Sequence, residues 1–196
     1  NKDIKENILS IADKSRYLLP DSSYSLKMYE FVKSQYESGI TWEEARDNIY
    51  ERYQVKSEDG YDITSKNLYC NGCFAAGINF AASLISLFWG EGNIKETIKI
   101  GTLAGWDSDN PTSTWGGLIG FIIGKDAIEK EFDRNFSEKY FIHRTRQNFD
   151  RDIDDFDNMA DNTIEIINRV VENEINGRYD KENQIWYIQK KPPYHR

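Results

Sequence analysis

The stretch from Cys73 to Trp89, CFAAGINFAASLISLFW, carries no charged side chain and is apolar over most of the circumference of a helix. Phe74, Ile78, Phe80, Leu84, Leu87 and Phe88 are bulky, whereas Ala75, Ala76 and Ala82 leave one side small. A helix without a polar face is stable only when neighbours surround it, so the remaining helices must wrap this one. Asn79 and two serines interrupt the run, and it falls short of a bilayer span. Gly90 ends it.

The neighbours are amphipathic. Ile4, Ile8, Leu9, Ile11 and Ala12 recur at helical spacing, and the pattern stops before Leu19-Pro20. Asp21 to Ser23 offer caps for a second helix carrying Leu26, Tyr29, Val32, Lys33 and Tyr36, closed by Gly39. Thr41-Trp42-Glu43-Glu44 has capping-box spacing and opens a third helix that runs to about Tyr53. Residues 54–67 are polar, with Asp59-Gly60 as a turn signal, and read as a connecting loop. Asn93 and Glu96 repeat the capping spacing for a helix whose Ile94 and Ile98 face the core. After Gly105, residues 112–124 return to an apolar helical pattern. There Gly116, Gly120 and Gly124 form a small stripe that another helix can approach closely.

The acidic run from Asp150 to Asp161 leads into Ile164, Ile167, Val170 and Val171, one more amphipathic helix. Gln184 to Gln189 alternates as a strand or an extended arm does, within a tail over 178–196. The expectation is an all-α fold: residues 1–196 form a single helical domain, or the C-terminal fragment of one. The first residue is Asn1, with no basic and apolar leader after it, which suggests a fragment or a processed chain. Nothing in the sequence reports a compartment.

At 196 residues the chain can bury a real core, helped by an aromatic fraction of 14 %. A net charge of −8 argues against gripping nucleic-acid backbones. Cys70 and Cys73 form one C-x-x-C, which lacks the further soft ligands of a structural zinc site and the βαβ setting of a redox motif. They are expected to be small core residues at a helix start.

Chemistry concentrates at Gly105-Trp106-Asp107-Ser108-Asp109-Asn110-Pro111. Two carboxylates two residues apart stand between two apolar helices. In an extended stretch both would point the same way and reach one small cation. Hard oxygens at this spacing suit Mg²⁺, Mn²⁺ or Ca²⁺ better than zinc. A carboxylate at a helix start is also favoured by the helix dipole, which is the competing explanation.

The stretch from Gly101 to Gly120, GTLAGWDSDNPTSTWGGLIG, resembles the C-terminal signature of the ADP-ribosylglycohydrolases: glycine, Asp-x-Asp, a small hydroxylated residue, then a glycine-rich helix. The preceding buried helix and, more weakly, the acidic stretch from Asp154 to Ala160 resemble that family's order of elements. The likeness covers roughly Leu68 to Gly177. It implies a compact orthogonal helical fold and a binuclear Mg²⁺ centre, with Mn²⁺ as a substitute. The activity it implies is hydrolysis of the bond between ADP-ribose and a protein side chain or small acceptor. Asp107 and Asp109 match the family's metal aspartates. Asn110 stands where that family has Thr or Ser, and its amide carbonyl is the third candidate ligand. Tyr69, Asn71, Trp106 and Ser108 flank the site as candidate substrate-binding residues; for Trp106, packing in the core is an equal reading. The family's Thr-Asp-Asp block and its catalytic glutamate do not occur in these residues, so the catalytic residue is unassigned. A separate N-terminal chain is the expected source of both. The partner implied is an ADP-ribose-type or ADP-ribosylated substrate, with neither nucleic acid nor membrane. The rival expectation is a non-catalytic helical binding module of the same fold.

Other features carry less. Asp150, Asp152 and Asp154 have the first spacings of an EF-hand loop, but Asp155 stands where glycine is required and Asp161 where glutamate is. His143, Arg144 and Arg146 read as solvated surface side chains.

Overall fold

The computed structural model describes residues 2–63, 66, 67, 69, 72–148 and 151–189, and the chain divides after Arg134 into two compact units. The second unit, from Asn135 onward, gathers its own contacts around one helix.

The first unit is helical. Its elements are α1 (Lys2–Ser15), α2 (Tyr24–Ser38), α3 (Trp42–Ile49), α4 (Ala76–Gly90), α5 (Ile94–Ala104), α6 (Asp109–Ile123) and α7 (Lys125–Phe132). Three of the starts have a side-chain cap. Ser23 accepts the Leu26 amide, and Asn93 accepts the Glu96 amide. Thr41 and Glu44 complete the expected capping box, in which each side chain satisfies the other's orphan amide. Gly39, at φ 77°, closes α2 in the left-handed conformation. The region anticipated as the end of the third helix instead widens into a π-helical turn over Tyr50–Val55. Helix α7, unanticipated from the sequence, follows Gly124 directly and lays Ile128 and Phe132, four residues apart, against the core.

Helix α4 is the centre. Ile78, Ala81, Ala82 and Ile85 are fully buried, and Leu84, Leu87 and Phe88 nearly so. Around it lie Met28, Tyr29 and Val32 of α2, Ala45 and Ile49 of α3, Ile94 and Ile100 of α5, and Ile119 of α6. Trp89 donates Nε1–H to the Ile40 carbonyl at 2.9 Å, and Trp115 donates to the Ser83 carbonyl at 2.8 Å. The two indoles therefore anchor neighbouring segments on α4 through polar contacts at its margin.

Close helix approach occurs away from the expected stripe. A Cβ on Gly90 would stand 2.8 Å from the Thr97 Cα, so α4 and α5 meet backbone to backbone there. Gly116 has only Ile98 within ordinary contact, Gly120 meets the flexible tip of Ile128 at 3.0 Å, and Gly124 faces open space. The stripe is thus covered by side-chain tips at two positions, and Gly124 serves as a turn.

The second unit contains strands that the all-α expectation omitted. β1 (Lys139–Phe141) pairs antiparallel with β2 (Ile153–Asp155), and β3 (Arg178–Asp180) with β4 (Ile185–Tyr187). Between the two hairpins runs α8 (Phe156–Asn173), capped by Asp155 on the Asn158 amide. Trp186 donates to Asn168 Oδ1 at 2.7 Å, fastening the second hairpin to α8. The expected tail thus contains both strands of a hairpin within this unit, with β4 inside the stretch whose alternation suggested a strand. The fold is mostly helical, and no described helix is long and apolar enough to cross a membrane.

One ion pair secures the irregular turn. Arg52 meets Asp59 through Nε at 3.0 Å and Nη2 at 3.2 Å, and the Tyr53 hydroxyl donates to the same carboxylate at 3.1 Å. Burial pushes the Asp59 carboxyl up, but Arg52 and Tyr53 more than offset it and hold it below the ordinary carboxylate range. Because the folded-state value is depressed, this contribution is complete above the unfolded value of about 4 and disappears as pH falls through the folded value. Asp59→Asn should lower stability by about 1–3 kcal/mol at neutral pH. The gap in urea midpoint from the unmodified chain should shrink in acid. Separately, Gly90→Ala should destabilise by about 1–3 kcal/mol despite alanine's better helix propensity, because Thr97 backbone blocks the methyl. An unchanged urea midpoint would contradict the close approach.

Candidate metal-facing corner

The corner between α5 and α6 is built on an unusual backbone. Gly105, Trp106 and Asp107 follow one another at φ 78°, 60° and 65°. Gly105 combines its φ with ψ −150°, a region only glycine enters readily. A tryptophan and an aspartate in succession at positive φ each cost roughly 1–2 kcal/mol, so the surroundings must over-determine them. This replaces the extended geometry expected from spacing, and α6 begins earlier than the sequence pattern, at Asp109.

Two contacts hold the corner from outside. Asn79, the lone amide of α4, donates Nδ2–H to the Trp106 carbonyl at 2.7 Å and to the Asp107 carbonyl at 2.9 Å. Tyr50, first residue of the π-helical turn, stacks on the Trp106 ring with centroids 5.7 Å apart and planes at 24°. Neither residue stood out as a site residue in the sequence. The signal for Asn79 was its interruption of an apolar run, while Tyr50 carried none.

Asp107 and Asp109 come together. Asn110 Nδ2 lies 2.7 Å from Asp107 Oδ2 and 3.4 Å from Asp109 Oδ1, so both carboxylates face one point, and both are exposed. The same amide lies 3.2 Å from the Asp107 carbonyl. Asn110 therefore turns its nitrogen, not the carbonyl oxygen of a ligand, toward the pair; a half-turn of the amide exchanges the two atoms. Ser108 is half-buried at the N-cap, and its carbonyl accepts the Thr112 hydroxyl at 2.8 Å.

Trp106 is half-buried and forms a wall, with Tyr50, of a cleft of roughly 420 Å³ beside the corner. Arg46 reaches the same cleft but is engaged by Asp47 at 2.9 and 2.7 Å. Cys73 lines it and is disulfide-bonded, unlike the small core thiol expected from the sequence. Tyr69 is 85 % exposed and is not among the residues that line the cleft. Asn71 and Cys70 lie outside the described residues.

The remaining candidates belong to the second unit. Asp154 belongs to β2 and is hydrogen-bonded to Asn158 and the Asp155 amide, so residues 153–158 form a strand and a helix start; Asp150 lies outside the described residues. Exposed His143 meets the Thr145 hydroxyl at 2.8 Å.

The carboxylate oxygens here are the donor type that a small divalent cation takes. They are fewer than the six oxygens such a cation takes. Among the described residues, no group of three or more His, Cys, Asp or Glu side chains is placed to hold one. Comparison with family models, curated proteins and solved structures finds no match for this chain.

Gly105→Ala tests the corner directly. A methyl would meet nothing within 4 Å, so only the backbone conformation opposes it. The substitution should cost about 1–3 kcal/mol in urea unfolding; a midpoint equal to the parent's would mean that the left-handed corner does not persist in solution.

Proposed function

We propose that this chain carries the C-terminal, metal-facing half of an ADP-ribosylglycohydrolase-like site, in an orthogonal helical fold of that kind. One observation carries the reading: Asp107 and Asp109, the residues matching the family's metal aspartates, turn their carboxylates to the same point. The signature from Gly101 to Gly120 supports it independently of that geometry.

In this reading Asp107 and Asp109 bind Mg²⁺ or Mn²⁺, with Asn110 joining through its carbonyl after the amide turns over. Further ligands and the catalytic glutamate come from a segment beyond these residues. A bound cation supplies electrostatic stabilisation of negative charge and orients oxygen nucleophiles. The chain's own residues do the positioning. The two aspartates fix charge at the mouth of the corner, while Trp106 and Tyr50 offer an apolar wall against which a sugar or base ring packs. The reaction class is hydrolysis of an N- or O-glycosidic bond to ADP-ribose, with charge developing at the anomeric carbon.

A second reading has its own support. The Asn110 amide satisfies both carboxylates without a cation, as a helical binding module that has lost catalysis would allow. Calorimetric titration of the chain with Mn²⁺ separates the two. The hydrolase reading expects binding that weakens about tenfold or more in Asp107→Ala and in Asp109→Ala, each of which removes a charged ligand. In the complete enzyme, the double substitution should abolish Mg²⁺-dependent release of ADP-ribose from a modified peptide. Binding that is absent, or indifferent to both substitutions, would leave the binding module.

A further inference from the structure

We infer that Asn79 is the positioning residue of the corner, holding from the central helix the backbone that carries Asp107 without touching the ligand itself. The inference deepens the cation-site reading proposed above and rests on it.

The argument begins with what an amide is doing in α4. The flanking Ile78, Ala81 and Ala82 are fully buried, so a polar side chain at 79 sits at the edge of an apolar core. Its Nδ2 has two hydrogens, and the carbonyls of Trp106 and Asp107, at 2.7 and 2.9 Å, each lie within reach of one. These two residues are also the non-glycine residues of the corner at positive φ. A peptide carbonyl's direction is set by the torsions on either side of it, so clamping two successive carbonyls fixes the left-handed turn between them. The Asp107 side chain departs from the backbone so fixed.

The Asp107 carbonyl is a junction. It accepts from Asn79 Nδ2 at 2.9 Å, from the Asn110 backbone amide at 3.2 Å and from Asn110 Nδ2 at 3.2 Å. When Asn110 turns its amide to offer oxygen, the last of these contacts is lost. Asn79 and the Asn110 backbone amide then keep the carbonyl, and with it the Cα–Cβ direction along which the Asp107 side chain leaves the corner. Tyr50 contributes through ring stacking, which restrains the Trp106 side chain but leaves its carbonyl free to rotate. Asn79 alone among the described side chains bonds both carbonyls.

The test compares the unmodified chain with Asn79→Ala and Asn79→Asp. Alanine suits a helix, and aspartate keeps the shape while replacing the donor with an acceptor. Two measurements are made: amide hydrogen exchange across residues 105–110, and Mn²⁺ affinity of the unmodified and Asn79→Ala chains. Exchange in the corner should accelerate by about tenfold in both variants, with α5 unchanged, and the Mn²⁺ Kd should rise by about tenfold in Asn79→Ala. Unchanged corner exchange overturns the inference, as does acceleration spread evenly over α4 and α5, which would mark general destabilisation. Faster corner exchange with an unchanged Mn²⁺ Kd also overturns it, since the clamp would not then serve the carboxylates. If the unmodified chain binds no Mn²⁺ while the corner still loosens, the cation-site reading fails and the role of Asn79 in shaping the corner stands.

Discussion

Burial of α4 on every side is the constraint from which the rest of unit 1 follows. A helix with fully buried Ile78, Ala81, Ala82 and Ile85 has no surface of its own, so α2, α3, α5 and α6 are arranged by the need to cover it. Dense packing then leaves little freedom at its ends. At Gly90 the backbone of α5 comes too close for a methyl group. At the N-terminal end, Asn79 reaches out to the chain passing between α5 and α6. The same helix thus supplies the apolar mass that stabilises the unit and the polar contact that shapes its corner.

The corner shows why those two roles belong together. Consecutive left-handed residues are unfavourable, and tryptophan gains nothing from the conformation in compensation. Such a turn persists only where fixed partners outweigh its cost, and a loop held by other loops would relax. Here the partners come from packed helical elements: the amide from α4 and the ring from the π-helical turn after α3. Strain concentrated between two helices and opposed by the core is the arrangement that pre-organises exposed acidic groups. The backbone sets where the Asp107 side chain leaves the corner, and the Asn110 amide links it to Asp109.

The sequence carried much of this and missed the rest for identifiable reasons. Caps and apolar periodicity located α1 to α6 because those signals are local: Thr41 and Glu44, or Asn93 and the Glu96 amide, are neighbours along the chain. Asp107 and Asp109 were legible as a pair from spacing, but the route to their convergence was not. Spacing alone suggested an extended strand, whereas the chain turns through positive φ before entering α6. Of the three-residue strands of unit 2, β4 was legible in the alternation of Gln184 to Gln189, whereas the other three are too short to show, and the pairing itself is visible only in the fold. Asn79 and Tyr50 were illegible as site residues because each acts across sequence separations that only packing brings together.

Asn110 is where the two proposed readings meet. A threonine or serine there would offer a hydroxyl that both donates and accepts, serving a carboxylate or a cation from one position. An amide divides those abilities between two atoms on opposite sides of a bond, so it must turn over to change role. With its nitrogen toward the carboxylates, Asn110 neutralises part of their mutual repulsion and leaves the pair satisfied. A cation competing for the same oxygens must displace that contact, and the displaced amide is then oriented to coordinate by its oxygen. In the proposed hydrolase reading, an amide in place of a hydroxyl would weaken cation binding without abolishing it. It sets a threshold that a weak ligand set fails to cross and a completed one passes. On that argument the identity of residue 110 does not choose between hydrolase and binding module. In the proposed reading the choice would fall to the number of further oxygens brought to the corner.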